Sequence, residues 1–186
     1  AYGFDGVSNR IEMGTWFYFD NFAISMWVKA GITQQSYSTI IENNHNTFRS
    51  WSCEQVMDSI SVYNFFVRTS QGPSNARFVL TPNVLKHVVL QKDQNSIKVF
   101  IDGANVSSTV ASSSVVYEAS KLGIGRQYNL GDNGPNRFWN GQMDDITIYN
   151  RALTTNEIDS LYHLNNWANG KVDAISPAQN ALNVAP

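Results

Sequence analysis

An all-β fold, an antiparallel two-sheet β-sandwich with one short C-terminal helix, is what the sequence predicts, and three observations predict it. Apolar residues recur at period two in short runs; the linkers between runs are crowded with Gly, Pro, Asn, Asp and Ser; and one segment near the end carries helix-start chemistry. With 186 residues, 12% aromatic and 15% charged, the chain is long enough to bury a single core. We therefore read residues 1–170 as one domain and 171–186 as a tail or linker.

The alternating runs are Phe22 to Lys29, Ser38 to Asn43, Ile60 to Thr69, Ala76 to Thr81, His87 to Lys92, Ser96 to Asp102 and Met143 to Asn150. Between them lie turn formers such as Gly72-Pro73-Ser74-Asn75, Asp93-Gln94-Asn95-Ser96 and Asp102-Gly103-Ala104-Asn105. Such linkers hold no crossover helix, so the strands pair antiparallel and not in βαβ units. In Leu153-Thr154-Thr155-Asn156-Glu157-Ile158, Thr154 and Glu157 have capping-box spacing and Leu153 and Ile158 form a staple. The helix should start at Thr155, dock through Ile158, Leu161 and Tyr162, and stop near Gly170. Lys171 to Pro186 shows Ser-Pro and Ala-Pro without periodicity, as a linker or edge segment would.

Charge and composition exclude several classes. Net charge is −2 and the Lys and Arg residues are scattered singly, so no basic stripe awaits a nucleic acid. No apolar stretch reaches the roughly 20 residues of a membrane span. The N-terminus has no signal-peptide pattern, which implies that any export signal was removed or lay elsewhere. Cys53 is the single cysteine, which rules out an internal disulfide and reads as a small buried hydrophobe.

Several segments, in order and spacing, resemble one superfamily: Phe4-Asp5-Gly6-Val7, Phe22 to Lys29, Val99-Phe100-Ile101-Asp102-Gly103, Leu122-Gly123-Ile124-Gly125-Arg126, and above all Phe138 to Leu153. The chain resembles the laminin-G-like, concanavalin A-like jelly-roll modules over residues 2 to about 168. Leu85-Lys86-His87-Val88 departs from that pattern, since the family often has a Trp before the His. The resemblance implies a jelly-roll sandwich and a carbohydrate-recognition module, with a glycan or polysaccharide as partner. Such a module would belong to a larger protein with neighbouring domains, placed extracellularly or on a cell or virion surface. Similar members include pentraxin-like lectins, binding modules of glycoside hydrolases and phage-fibre domains, and fold alone does not choose among them. A structural or adhesive protein-interaction domain is thus the alternative.

A hydrolase is expected least. The glucanase branch of the family it resembles carries Glu-x-Asp-x-x-Glu on one strand, and no such segment is present. The acidic clusters that exist, Glu42, Glu54 with Asp58, and Asp144 with Asp145, lack that spacing. There is no Gly-x-Ser-x-Gly elbow, and His87 in an apolar strand reads as structural. His163 suits the C-terminal end of the helix.

Two ligand sets are expected. Asp144 falls in register with Ile146 and Ile148, so if the isoleucines face the core it points inward, where a carboxylate needs an ion or several donors. The resemblance implies a structural calcium (Ca2+) joining Asp5 to Asp144, with Asp145 or carbonyl oxygens completing the shell. The competing reading is that Asp5 makes a turn and Asp144 bonds amides or an arginine. For glycan, the segments 43–51 and 126–137 mix aromatics with short amide, carboxylate and guanidinium groups. Asn43, Asn44, His45, Arg49, Trp51, Arg126, Tyr128, Asp132 and Asn133 are the candidate contacts, on loops that could meet at one rim. Trp16, Trp27, Trp139 and Trp167 read as packing residues.

Overall fold

The computed structural model describes residues 1–14, 17–45, 48–57, 59–118, 121–127 and 137–164, with only the backbone of Asn44, His45 and Phe48. In chain order the strands are β1 (Tyr2–Asp5), β2 (Ile11–Met13), β3 (Phe22–Ala30), β4 (Thr39–His45), β5 (Phe48–Gln55), β6 (Val62–Thr69), β7 (Gly72–Val79), β8 (Leu85–Lys92), β9 (Ser96–Ile101), β10 (Ala104–Val110), β11 (Lys121–Ile124), β12 (Arg126–Gln127), β13 (Arg137–Phe138) and β14 (Asn140–Tyr149), followed by α1 (Thr155–His163). Sheet A has the order β1-β14-β3-β8-β9-β10 and sheet B the order β2-β11-β4-β5-β6-β7; β12 and β13 form a small ribbon. All the pairings are antiparallel, as the linkers predicted.

Period two sorts the side chains. Ile24, Met26 and Val28 of β3, with Val88 and Leu90 of β8, meet Trp51, Cys53, Phe65 and Val67 of sheet B in one core. Phe17 and Phe22 pack on the Trp51 ring, each with centroids 5.3 Å away. Cys53 is fully buried, and burial pushes its thiol pKa well up, so it is the small hydrophobe expected. Along one edge the sheets are tied: the Ser74 hydroxyl donates to the Val110 carbonyl at 3.1 Å, and the Thr109 hydroxyl donates to that of Asn75 at 2.7 Å.

The helix starts where its chemistry placed it. Thr154 accepts from the Glu157 N–H while Glu157 accepts from the Thr154 N–H, a complete capping box. Ile158 is buried against Ala23, Val89 and Phe100, so α1 covers the outside of sheet A. The described helix ends at His163; the expected stop at Gly170, Trp167 and the 171–186 tail lie outside the described residues.

Beneath α1, His87 is 2% exposed and its Nε2 lies 2.8 Å from the Ser25 hydroxyl. Trp27 and Tyr162 flank the ring at 5.3 and 6.0 Å, as befits a structural histidine. Burial lowers its pKa to about 4, against about 6.5 in an unfolded chain, and the nearby Asp102 offsets only part of that. Between those values the unfolded state binds more protons. His87 therefore contributes stability that is complete above pH 6.5 and is lost as pH falls toward 4. We expect urea-unfolding stability to drop by about 2 kcal/mol from pH 7 to pH 4.5, and His87→Gln to flatten that slope. An equal slope in both proteins would assign the effect to other groups.

Candidate functional site

The two outer faces of the sandwich differ. That of sheet A lies under α1, whereas that of sheet B carries polar side chains in register. One ladder row crosses it as Glu12, Gly123, Glu42, Ser52, Phe66 and Asn75. The next row holds Glu54, Asn64 and Arg77, and Arg68 follows Phe66 on β6 at the two-residue spacing that keeps it on this face. Glu42, Ser52, Glu54 and Phe66 form a buried floor, while Arg77 and Asn75 are exposed.

Glu54 is the node. It is 5% exposed, and an unpaired carboxylate at that depth would be costly. Its Oε2 accepts from Arg49 Nη1, on the same strand, and from Gln127 Nε2 at 3.4 Å, on β12. The Gln127 Oε1 in turn accepts from Arg137 Nη1. The guanidinium of Arg137 lies 4.5 Å over the Tyr37 ring, and that of Arg49 lies 4.6 Å over Phe66. Arg126 stands one step away, with Nη1 3.6 Å from Glu12 Oε1 and its guanidinium 5.4 Å from the Phe138 ring. The two segments expected to supply glycan contacts thus meet, through a carboxylate that joins Arg49 to Gln127 and Arg137.

They meet differently from the sequence expectation. Residues 43–51 are mostly strand, the β4–β5 hairpin, and not a surface loop. Trp51 and Asn43 face each other across β4–β5 on the core side and are fully buried, so neither offers a surface to a ligand. Asn43 donates to the Phe17 carbonyl at 3.4 Å. The backbones of Asn44 and His45 pair with those of Arg49 and Phe48. Tyr128, Asp132 and Asn133 lie outside the described residues, as does Trp16; Trp27 and Trp139 are buried packing residues, the first beneath α1 and the second between the sheets. Glu54, Phe66, Arg68, Arg77 and Tyr37 were not singled out for this face. The signal for Phe66 and Arg68 was available in the parity of β6, where Phe65 and Val67 point inward and their neighbours must point out.

The three aspartates expected to hold calcium do not converge. Asp5 faces Asn140 across β1–β14, whereas Asp144 lies one step past the Tyr2–Met143 pair. Four residues of strand put Asp5 and Asp144 about 13 Å apart. Asp5 serves its own turn: its Oδ1 accepts the N–H groups of Val7, Ser8 and Asn9 at 2.8–3.0 Å, and these bonds hold its pKa well below the usual carboxylate range. Asp144 is not turned inward. A β-bulge sets four residues, Asp144 to Thr147, against the three from Trp27 to Ser25. Asp145, at φ 48°, is within it. The bulge flips the parity, so Met143 faces the core before it, and Ile146 and Ile148 face the core after it. Asp144 is left opposite Trp27 on the outer face, with Oδ2 3.0 Å from the Ala1 nitrogen. Among the described residues no group of three or more His, Cys, Asp or Glu side chains is arranged to hold a metal ion.

Two facing antiparallel sheets, with a short helix over one and a polar face on the other, define a lectin-type jelly-roll sandwich. The chain belongs to the concanavalin A-like lectin/glucanases superfamily, whose laminin G-type family model matches residues 5–159. Its fold is also that of domain 4 of AbnA, a GH43 extracellular arabinanase from Geobacillus stearothermophilus, solved in complex with arabinotriose. The two share 17% identity at a TM-score of 0.65, over 86% of this chain and 75% of that one. A heptameric SAP-like pentraxin from Limulus polyphemus is similar at 14% identity and TM-score 0.64, over 88% and 81% of the chains. The binding domain of botulinum neurotoxin DC, in complex with SialylT, is similar at 14% identity and TM-score 0.59, over 77% of this chain and 35% of that one. No curated protein matches the sequence.

Proposed function

We propose that the chain is a non-catalytic carbohydrate-binding module of a larger extracellular or surface protein, and that the outer face of sheet B holds the glycan. The observation that carries this reading is the Glu54 node, which gathers guanidinium and amide donors from two separate hairpins onto one face. Sugar hydroxyls need such fixed planar donors, and a buried carboxylate beneath them limits their freedom before binding. The arabinotriose and SialylT complexes of proteins with this fold are in keeping with it.

Hydrolysis fits less well. Glu42 and Glu54 are diagonal neighbours on this face, about 7–8 Å apart at Cα. Glu54 Oε2, however, is engaged by Arg49 and Gln127, so this carboxylate serves to hold the donors of the face in place. We expect Arg137→Ala to weaken binding on an array of plant and bacterial glycans roughly tenfold, with Tm little changed. Retention of full affinity in that variant would move the site elsewhere, and release of reducing sugar from a bound polysaccharide would establish an enzyme.

On this reading glycan binding on the outer face of sheet B does not draw on Asp5 or Asp144. Since Asp5 and Asp144 stand apart, we expect calcium to leave the Tm of chelator-treated protein unchanged. A rise in Tm, with metal retained on elemental analysis, would point to a ligand set other than that pair.

A second reading, a structural or adhesive contact domain, draws on one end of the sandwich. There Ile32, Met57, Ile60, Val79 and Val84 are all more than 40% exposed. The backbone joins the segments that carry them, Asn83 N–H to the Ala30 carbonyl and Leu80 N–H to that of Ser61. Self-association that Ile60→Ser and Val79→Thr abolish, in a protein binding no glycan, would favour this reading.

A further inference from the structure

We infer that the glycan held by the outer face of sheet B is acidic, a carboxylated or sulfated polysaccharide; this rests on the reading that the face binds glycan. The described residues of that face and its flank include six cations, Arg49, Arg68, Arg77, Lys121, Arg126 and Arg137, against three carboxylates, Glu12, Glu42 and Glu54. That is an excess of three positive charges in a chain whose net charge is −2. Scattered in sequence, they are gathered by strand register, which is why the linear pattern showed no basic stripe.

Residue type sharpens the point. Every arginine of the chain lies here except Arg10, at the edge beside Glu12, and Arg151, which pairs with Glu157 at the cap of α1. Of the described lysines only Lys121 joins them: Lys29, Lys86, Lys92 and Lys98 are all on strands of sheet A. A guanidinium offers a planar fork that matches carboxylate and sulfate oxygens two at a time, which an ammonium does not. The buried carboxylate of Glu54 holds Arg49 in place, and the guanidinium groups of Arg49 and Arg68 lie over the Phe66 ring, at 4.6 and 5.8 Å. Both contacts orient the forks before a ligand arrives.

Spacing indicates more than one bound charge. Arg49, Arg68 and Arg77 stand on the successive strands β5, β6 and β7, which lie about 4.8 Å apart, and Arg68 faces Pro73, four residues from Arg77, so their positions span about 10 Å across the sheet and about 13 Å along it. A chain carrying an anion on each of several sugars can meet that array; a lone carboxylate cannot. Coulomb attraction over the face is screened within about 8 Å at physiological salt, so affinity should fall as salt rises.

Titration calorimetry with two matched pairs of probes tests this. Polygalacturonate is compared with its methyl ester, and dextran sulfate with dextran, at about 0.15 M salt. The expected result is roughly tenfold or greater preference for at least one acidic member over its neutral partner, with the pair that shows it naming carboxylate or sulfate. Arg77→Gln, an exposed position whose Tm should not move, is expected to weaken acidic binding several-fold, and Arg68→Gln with Arg77→Gln to abolish the preference. Lys29→Gln with Lys86→Gln removes the same charge from sheet A and should leave it intact. Equal affinity for acidic and neutral members would overturn the acidic assignment and leave glycan binding standing. An equal loss in the lysine control would overturn it as non-specific attraction. Binding to none of the four probes, and to no glycan on the array, would remove both.

Discussion

Replacement of Trp51 by Ala is expected to lower unfolding stability by about 4 kcal/mol, the cost of a large aromatic removed from a core that cannot close over the space. Trp51 is fully buried and shares its ring faces with Phe17 and Phe22, so the cavity would open at the centre of the sandwich. The same substitution separates two roles for this residue. The sequence places Trp51 in an Asn-rich, polar segment, where a planar ring could serve as a sugar platform; the structure turns it into the core. We therefore expect Trp51→Phe to cost much less stability and to leave glycan affinity within twofold of the parent, read by urea unfolding and calorimetry. A large affinity loss in a well-folded Trp51→Phe protein would return the ring to the binding surface.

Trp51 also shows why the site was only partly legible. Core strands such as β3 and β6 declare themselves because most of their residues are apolar. In β5 the inward positions, Trp51 and Cys53, alternate with Ser50, Ser52 and Glu54, all buried, and the segment reads as a loop. A strand whose outer face is itself a buried polar floor lacks the apolar signal on which period-two reading depends. Register then makes contacts that no local pattern contains. Arg49, Gln127 and Arg137 join through Glu54 only because β12 runs beside β4.

The helix start is the opposite case, since Thr154 and Glu157 make the capping box by local chemistry alone. The inward assignment of Asp144 failed for an equally specific reason. Strict alternation from Ile146 and Ile148 backward crosses the bulge at Asp145, and one extra residue reverses every side chain beyond it. The seven alternating segments became strands, though their bounds moved by a few residues, while polar β10 and the short β1, β2 and β11 carried too little contrast to be seen.

Gly125 to Ala is expected to cost about 3 kcal/mol and to weaken ligand binding as well. The residue has φ +78°, a left-handed conformation that a side chain disfavours by about 1 kcal/mol or more. A Cβ there would also stand 2.2 Å from Phe4 Cδ1 and 2.3 Å from Phe4 Cε1. Phe4 cannot simply give way, because it is buried, edge-on to Trp139 at 5.9 Å, on a strand paired with β14. Nor can the Gly125 backbone move freely: its N–H donates to the Ile40 carbonyl at 2.8 Å and its carbonyl accepts from Trp139 N–H at 2.9 Å. These bonds fix the turn from β11 into β12, and hence where Arg126 and Gln127 stand relative to Glu12 and Glu54. Strain at Gly125 should therefore appear twice, as a lower urea midpoint and as reduced glycan affinity in the folded fraction. Gly3→Ala is the control, beside Phe4 on β1 but with no heavy atom within 4 Å of the added methyl, and it should change neither quantity appreciably. A Gly125→Ala protein within about 1 kcal/mol of the parent would mean that Phe4 can leave its place against Trp139 at little cost. The β11–β12 turn would then not be the element that sets Gln127 against Glu54.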